Sequence, residues 1–365
     1  MTSTLRLATW NVNGLRSYIL DSLASSRFRG KTEIAAGSNL AELLEKTQAN
    51  ILCFQETRCN LDTMARFQIP NWRIWSNSSS GDGPRSGNRY SGTSIWVTEA
   101  FLEAHGEPQV LRIIPGLAQT ETQTEAQTET KPEEAVDPEG RFLGLDFGRF
   151  LVMNSYVPNS GSNAAYRSGT WDVAVRRYLE CLKADRPDTI VVWAADWNVA
   201  PTPRDLFIGD PVRTAKGQRI VKRHRDLGHT AGHPEYTAEM EAWRTEWEAT
   251  DEMQGVGDRV QAGFLAVERQ AWCGFLQAGY LDAWRLLHPS EDYTGYTWFS
   301  LRAKGTRPAR LGWRIDHVLV SEAHGGRILK CQNLPEVGEA TRRDEKVGKY
   351  GSDHVPLFVE VDLKE

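Results

Sequence analysis

Cysteine is scarce. The five in this 365-residue chain, Cys53, Cys59, Cys181, Cys273 and Cys331, form no C-x-x-C pair and no cluster with histidine. An odd, scattered set argues against a disulfide framework and against a zinc site, and it suits a reducing compartment. Three of them lie in apolar strand or helix patterns and read as core thiols. Long apolar runs are missing as well. None approaches the roughly 18 residues of a membrane span, and the opening MTSTLRLATW lacks the shape of a signal peptide. No membrane is expected among the partners. An excess of positive charge is also absent: the net charge is −5, which argues mildly against a nucleic-acid binder. Much of that charge is local, because residues 119–140 hold seven acids and one lysine, and the rest of the chain sums to +1. A near-neutral body with one acidic loop can still carry a positive face.

What is present is apolar and regularly spaced. Hydrophobic residues make up 40% of the chain, enough for one large core, and thirteen tryptophans add bulk to it. Strand patterns occur at 5–12, 50–56, 93–97, 141–147, 150–157, 189–196, 296–300, 313–321 and 355–363. Helical spacing falls between them: Leu40, Leu43 and Leu44 behind a capping Ser38; Trp171, Val175, Tyr178, Leu179 and Leu182; and Trp272, Phe275 and Leu276. No linker divides the chain, so one α/β domain of packed sheets covered by helices is expected over 1–365. Two insertions interrupt it. One, about 119–138 and rich in Thr, Glu and Gln, is expected to be disordered. The other, about 204–263, is charge-polarised: seven Lys/Arg against three Asp in 204–226, then eight acids against two arginines in 227–263. Its basic run is spaced too densely for one helix face and reads as a solvated loop, or as a grip on phosphates.

The strands end in polar residues. Asn11 and Asn13 close the first, Glu56 and Arg58 follow the second, and Tyr156 and Asn159 close a third. Asp196 and Asn198 end the run TIVVWAAD, Asp316 sits inside WRIDHVLV, and Asp353 and His354 precede the last strand. Each alone is most simply a turn former or a satisfied core residue. Together they place oxygen donors, one imidazole and one phenol where strands of packed sheets would end, and that is where open sheets carry their sites.

The ordered motifs ATWNVNGLR, ILCFQETRC, YSGTSIWV, EGRFLGLDF, NSYVPNSG, DWNVAP, YTWFS, GWRIDHVLVS and GSDHVPL resemble those of the exonuclease III/AP endonuclease family, within the endonuclease/exonuclease/phosphatase superfamily. The likeness runs from residue 5 to 362, apart from the two insertions. The long insertion after DWNVAP is most similar to the fungal class II AP endonuclease branch. The resemblance implies a DNase I-like fold, a four-layered sandwich of two mixed β-sheets flanked by helices. It implies a Mg²⁺-dependent nucleus-located DNA repair enzyme (Mn²⁺ as substitute). Such an enzyme cuts the phosphodiester 5′ to abasic sites in base excision repair, with 3′-phosphodiesterase and 3′→5′ exonuclease activity.

By the same resemblance, Glu56, Asn11 and Asp353 hold the metal. Asp196 orients or deprotonates the attacking water, and Asn198, Asn159 and Tyr156 donate to the phosphoryl oxygens. His354 pairs with Asp316, which would let it meet a phosphate oxygen or the water, so either Asp196 or His354 is the general base. A second metal at Asp196, Asn198 and His354 is an alternative. Trp298, Trp313 and Ile315 match an apolar pocket for a base-free sugar, and Asn13, Arg58, Lys222, Arg223 and Arg225 are candidate DNA contacts. Asn13 stands where many members carry aspartate, and Ser162 where some carry arginine. Trp298 and Phe299 reverse the aromatic order of some members. The expected partner is double-stranded DNA bound by a monomer; a sliding clamp would need a tail absent from this chain. Two other readings compete: a superfamily phosphodiesterase or phosphatase on a non-DNA substrate, and an inactive scaffold relative.

Overall fold

The computed structural model describes residues 3–15, 38–59, 64, 69–78, 91–114, 117, 139–230, 232–256, 261–290, 294–300, 311–337 and 352–364, apart from the side chains at 38, 39, 162 and 163. The acidic insertion at 119–138 therefore lies outside the described residues, as do the capping of Ser38 and the contacts of Ser162.

Two six-stranded sheets face each other. One runs β11 (Ile328–Asn333), β12 (Leu357–Asp362), β1 (Thr4–Asn11), β2 (Ile51–Gln55), β4 (Thr93–Thr98), β3 (Trp72–Asn77). The other runs β5 (Gln109–Leu111), β6 (Phe142–Asp146), β7 (Phe150–Tyr156), β8 (Ile190–Asp196), β10 (Asp316–Ser321), β9 (Tyr280–Asp282). The β1–β2 and β7–β8 pairs are parallel and the others antiparallel, so both sheets are mixed. Helices follow in chain order as α1 (Ser38–Thr47), α2 (Glu99–His105), α3 (Ser160–Tyr166), α4 (Asp172–Asp185), α5 (Ala215–Asp226), α6 (Pro234–Glu248), α7 (Asp251–Gln254), α8 (Ala266–Gln277) and α9 (Ala283–Leu287).

Strand alternation builds the layers. Leu5 and Leu7, Ile51 and Cys53, Val152, Val192 and Ala194, and Val318 and Val320 point inward and form the core between the sheets. Ala8, Trp10, Leu52 and Phe54 point the other way and pack under Leu40 and Leu43 of α1. Leu151, Met153, Val191 and Trp193 pack under Val175 and Leu179 of α4 and Trp272 and Phe275 of α8. Four layers result, as the motif resemblance implied. Cys53, Cys59 and Cys331 are buried, and burial pushes the Cys53 and Cys331 thiols up.

Eight expected strands are present. The four not anticipated, β3, β5, β9 and β11, are the four sheet edges. An edge strand is half solvated and often short, so its sequence lacks the apolar alternation of a central strand. The segment 296–300 is not a strand, contrary to its pattern. Trp298 makes only isolated bridges, to Trp313 and His354. Its neighbours' backbone groups go to two different partners: Thr297 N–H to the Trp313 carbonyl, and Phe299 N–H to the Asp353 carbonyl.

The second insertion is folded, and its basic run is helical rather than a loop. Thr214 caps α5, its hydroxyl accepting from Gly217 N. The basic α5 packs on the acidic α6, with Lys216 Nζ 2.5 Å from Glu246 and Arg223 paired to Glu239. Charge polarity along the sequence thus becomes charge pairing between neighbouring helices. At the root, Ala200 N donates to the Gly263 carbonyl at 2.7 Å, bringing the two ends of the insertion together. Arg314, fully buried, bonds Asp205 of the insertion at 2.7 Å and Asp282 at 2.8 Å, and Arg285 also reaches Asp205. Burial opposes the charge on both acids, yet the guanidiniums hold Asp205 below the usual carboxylate range and Asp282 well below it. This cluster anchors the backbone immediately before Ile315 and Asp316.

Candidate active site

The parity that builds the core also builds the site. Inward positions of β1, β7, β8 and β10 continue past the last apolar residue to Asn11, Tyr156, Asp196 and Asp316. Across the second sheet, Asp196 lies directly opposite Tyr156 on one side and Asp316 on the other. Asn11 reaches it from the first sheet: its Nδ2 is 2.8 Å from Asp196 Oδ2 and 3.0 Å from Glu56 Oε1. One amide therefore bridges two carboxylates supplied by opposite sheets.

One step below is a polar floor. Gln55 Nε2 donates to Thr9 Oγ1 at 2.8 Å and to Asn154 Oδ1 at 2.7 Å, and Asn154 Nδ2 donates to the carbonyls of Phe54 and Ser94. Thr9 and Asn154 sit two residues before Asn11 and Tyr156, on the same inward faces. Buried amides hydrogen-bonded in this way fix their neighbours in one geometry.

The loops are held in costly conformations. Asn13 (φ 47°), Glu56 (φ 48°), Arg58 (φ 50°) and Asn198 (φ 48°) all adopt the left-handed region. Asparagine tolerates it, but for Glu56 and Arg58 it costs about 1–3 kcal/mol each. Hydrogen bonds continuing beyond the strands impose it: Gly14 N to Glu56 O at 2.8 Å, Leu15 N to Thr57 O at 3.0 Å, and Arg58 N to Ser91 O at 2.9 Å.

His354 completes the centre. Its Nδ1 is 2.8 Å from Asp316 Oδ2, and its Nε2 stands 3.9 Å from Asp196 Oδ2, too far for a hydrogen bond. Thr297 Oγ1 accepts from the backbone N–H of Ile315 and Asp316, and Ser352 Oγ accepts from His354 N while donating to the Asn11 carbonyl. Burial, then the Asp316 carboxylate and more weakly Glu56, push Asp196 up to about 7, against the pull of His354 and the Asn11 hydrogen bond. Burial disfavours charge on His354, but Asp316 and Asp196 outweigh it and raise the imidazole to about 10.

The remaining residues surround this core. Asn198 N donates to Asp196 Oδ1 at 3.0 Å, and Asn159 Nδ2 to Asn198 Oδ1 at 3.2 Å. Asn13 Nδ2 and Trp298 Nε1 each donate to Asp353, at 3.1 and 3.0 Å. Arg58 bonds Glu56 Oε2. The donor set suits a hard divalent cation: Glu56, Asp353 and the Asn11 amide offer oxygen. Carboxylates outnumber cationic groups here, and the Asp316 and Glu56 charges add to burial in raising Asp196. Asp196, Asp316 and His354 also have donor atoms within 4.8 Å of one another, although the Asp316–His354 hydrogen bond already uses one pair.

The sequence profile of the Endonuclease/Exonuclease/phosphatase family matches residues 8–354, which spans every residue of this centre. The chain belongs to that family. Among its members the chain is 26% identical to an exodeoxyribonuclease of Bacillus subtilis over 98% of this chain and 100% of the relative. It is 25% identical to a DNA-(apurinic or apyrimidinic site) endonuclease of Dictyostelium discoideum over 98% of this chain and 71% of the relative. An AP endonuclease structure from Leishmania major superposes with a TM-score of 0.63 at 23% identity, covering 98% and 88% of the two chains, which supports the shared fold.

The expected site residues of this family member divide into three groups. Asn11, Asn13, Glu56, Arg58, Asn159, Asp196, Asn198, Asp316, Asp353 and His354 form one hydrogen-bonded assembly, with Tyr156 beside Asp196 in the sheet. Trp298, Trp313 and Ile315 also come together, the indoles edge to face at 5.7 Å. Their apolar cluster includes Leu206 and Met253 from the insertion and Phe264 just after it. Gly263 approaches so closely that a Cβ there would sit 3.2 Å from the Trp313 ring. The basic residues form the third group, on α5: Arg223 is paired with Glu239, while Lys222 and Arg225 have no ion-pair partner among the described residues. The supporting residues Gln55, Asn154, Thr297 and Ser352 were not anticipated. Only Gln55 and Asn154 carried a signal, as amides at inward positions of apolar strands.

Proposed function

We propose that this protein is a DNA repair nuclease that hydrolyses the phosphodiester 5′ to abasic sites and removes blocked nucleotides at 3′ ends in base excision repair, with Mg²⁺ as its ion. The observation that carries the reading is the pairing of an Asn11-bridged Asp196 with an Asp316-held His354 across a 3.9 Å gap. The names of the relatives point the same way. Asp196, raised to about 7, has a basicity matched to taking a proton from water near neutral pH. Asn11 and the Asn198 N–H fix its orientation. His354 at about 10 is already protonated, so it donates to a phosphoryl oxygen rather than acting as the base. Tyr156, Asn159 and Asn198 share that role as negative charge grows on the phosphorus oxygens.

Water's oxygen bonds to phosphorus, its proton passes to Asp196, and the bond from phosphorus to the 3′-oxygen breaks; that oxygen takes a proton from solvent, leaving a 3′-hydroxyl and a 5′-phosphate. Glu56, Asp353 and Asn11 would hold Mg²⁺, whose chemistry is to neutralise the phosphate and the departing 3′-oxygen. The Trp298–Trp313–Ile315 cluster supports an apolar seat for a sugar without a base. The same reading places the enzyme as a monomer in the nucleus and, from its insertion, in the fungal class II branch. The test is cleavage of an internal abasic duplex, a 3′-blocked nick and a recessed 3′ end, with Mg²⁺ and with EDTA. Inactivity on all three in Mg²⁺, with turnover of a non-DNA phosphodiester, would replace this reading with a superfamily cousin.

A further inference from the structure

Three of the chain's eight histidines, His224, His229 and His233, fall where α5 turns into α6, on the insertion rather than at the strand ends. None takes part in the centre around Asp196. His224 is buried, with Nε2 2.8 Å from Glu239 Oε2 and Nδ1 2.9 Å from Nδ1 of His229. The His229 and His233 rings stack at 3.6 Å, with planes 8° apart. One donor atom from each of His229, His233 and Glu235 lies within 4.8 Å of the other two. The Nδ1 of His233 is buried and has no hydrogen-bond partner among the described residues. A solvated turn has no need of a part-buried imidazole whose Nδ1 is buried and unpaired, whereas a cation would use that nitrogen.

We infer that His229, His233 and Glu235 form a binding site for a divalent transition-metal ion, zinc by donor type, that clips the α5–α6 turn. Two imidazoles and one carboxylate are a zinc donor set that leaves a fourth position for water. The scarcity of cysteine argued against zinc, but these donors are nitrogen and oxygen. Tetrahedral zinc spaces its ligand atoms about 3.3 Å apart, so binding turns the stacked rings out of parallel; both are only part-buried. Glu239, His224 and His229 form an orienting chain. Glu239 accepts from Nε2–H of His224, whose Nδ1 accepts from Nδ1–H of His229, leaving Nε2 of His229 for the ion. His224 and Glu239 are thus positioning residues. Mg²⁺ prefers an all-oxygen set and does not compete here.

Metal-free protein, saturated with Mg²⁺, is titrated with Zn²⁺ against a chromophoric chelator, and with Co²⁺ for its visible ligand-field bands. One zinc equivalent is expected in the wild type. It should persist in Glu56→Gln/His354→Ala and vanish, with the cobalt bands, in His229→Ala/His233→Ala. Glu239→Gln should weaken affinity about 10- to 100-fold. Glu235→Gln, an exposed change that the fold tolerates, should weaken it at least tenfold. Retention of the equivalent by the double histidine variant, or unchanged affinity in Glu235→Gln, overturns the assignment.

Discussion

Replacing Asp316 by asparagine isolates the electrostatics of the centre. The substitution keeps the shape but removes the carboxylate that holds His354 Nδ1 at 2.8 Å and faces Asp196 across the sheet. Asp316 acts on both partners in the same sense: it adds to burial in raising Asp196 to about 7 and, with Asp196, outweighs burial in raising His354 to about 10. Its loss therefore lowers both. If the imidazole returns to its ordinary value of about 6.5, the protonated fraction at pH 7.5 falls to roughly 0.1, and kcat/KM falls about tenfold from that population alone. An asparagine amide turned toward Nδ1 would favour the other tautomer and deepen the loss. The sign is definite: His354 is charged below its folded value and neutral above it, so the alkaline limb moves to lower pH. Asp196 is competent only when ionised, so the acid limb also moves down. The kcat/KM profile on an abasic duplex, measured from pH 5.5 to 10 at saturating Mg²⁺, should shift acidward as a whole. A bound cation displaces both proteins' profiles alike, so the comparison is between them. A variant profile parallel to that of the wild type, reduced in height with unmoved limbs, would refute the assignment of the pair.

Glu56→Gln should leave the fold intact and raise the Mg²⁺ concentration needed for half-maximal rate; full activity at low Mg²⁺ would remove Glu56 from the metal site. Lys222→Ala/Arg225→Ala should flatten the slope of log K against log salt by roughly 2, at about 0.9 per phosphate contact, and act on KM more than kcat. Adding Arg223→Ala should contribute little, because Glu239 already pairs that guanidinium; an unmoved slope in the double variant would return α5 to a purely structural role. Arg314→Met should cost about 3–5 kcal/mol in urea melts, since it leaves Asp205 and Asp282 buried without their partner. In the wild type those depressed carboxylates contribute stability that is present above about pH 4 and lost as pH falls through their lower folded values; an Arg314→Met melt as stable as the wild type at pH 7 would show that the cluster contributes nothing.

Legibility followed burial. Central strands alternate over a two-sided core, so their periodicity survives in the sequence, whereas β3, β5, β9 and β11 share one side with solvent and left no such trace. The segment 296–300 misled for the converse reason: YTWFS is apolar because Trp298 packs with Trp313 and Ile315, and Tyr296 and Phe299 with Val355, not because it pairs along its length. The basic run read as a loop because its charges crowd every face. Only the neighbouring acidic α6 makes a helix there tolerable, and that neighbour is remote from any local pattern.

By itself, the sequence determined the layered α/β class and the roster of polar residues at strand ends, since strand parity and apolar spacing are local properties of the chain. It also determined the family, through motifs whose order persists over nearly the whole length. The tertiary structure alone decided which of those polar groups meet. Asn11 spans Glu56 and Asp196 only because two sheets close on each other, and Asp196 and Asp316 share an environment only through the register of β8 and β10. The basicities of Asp196 and His354 arise from burial and from charges remote in sequence: Asp196 feels Asp316, His354 and Glu56, and His354 feels Asp316 and Asp196. Those depend on distance in space, which no local spacing encodes.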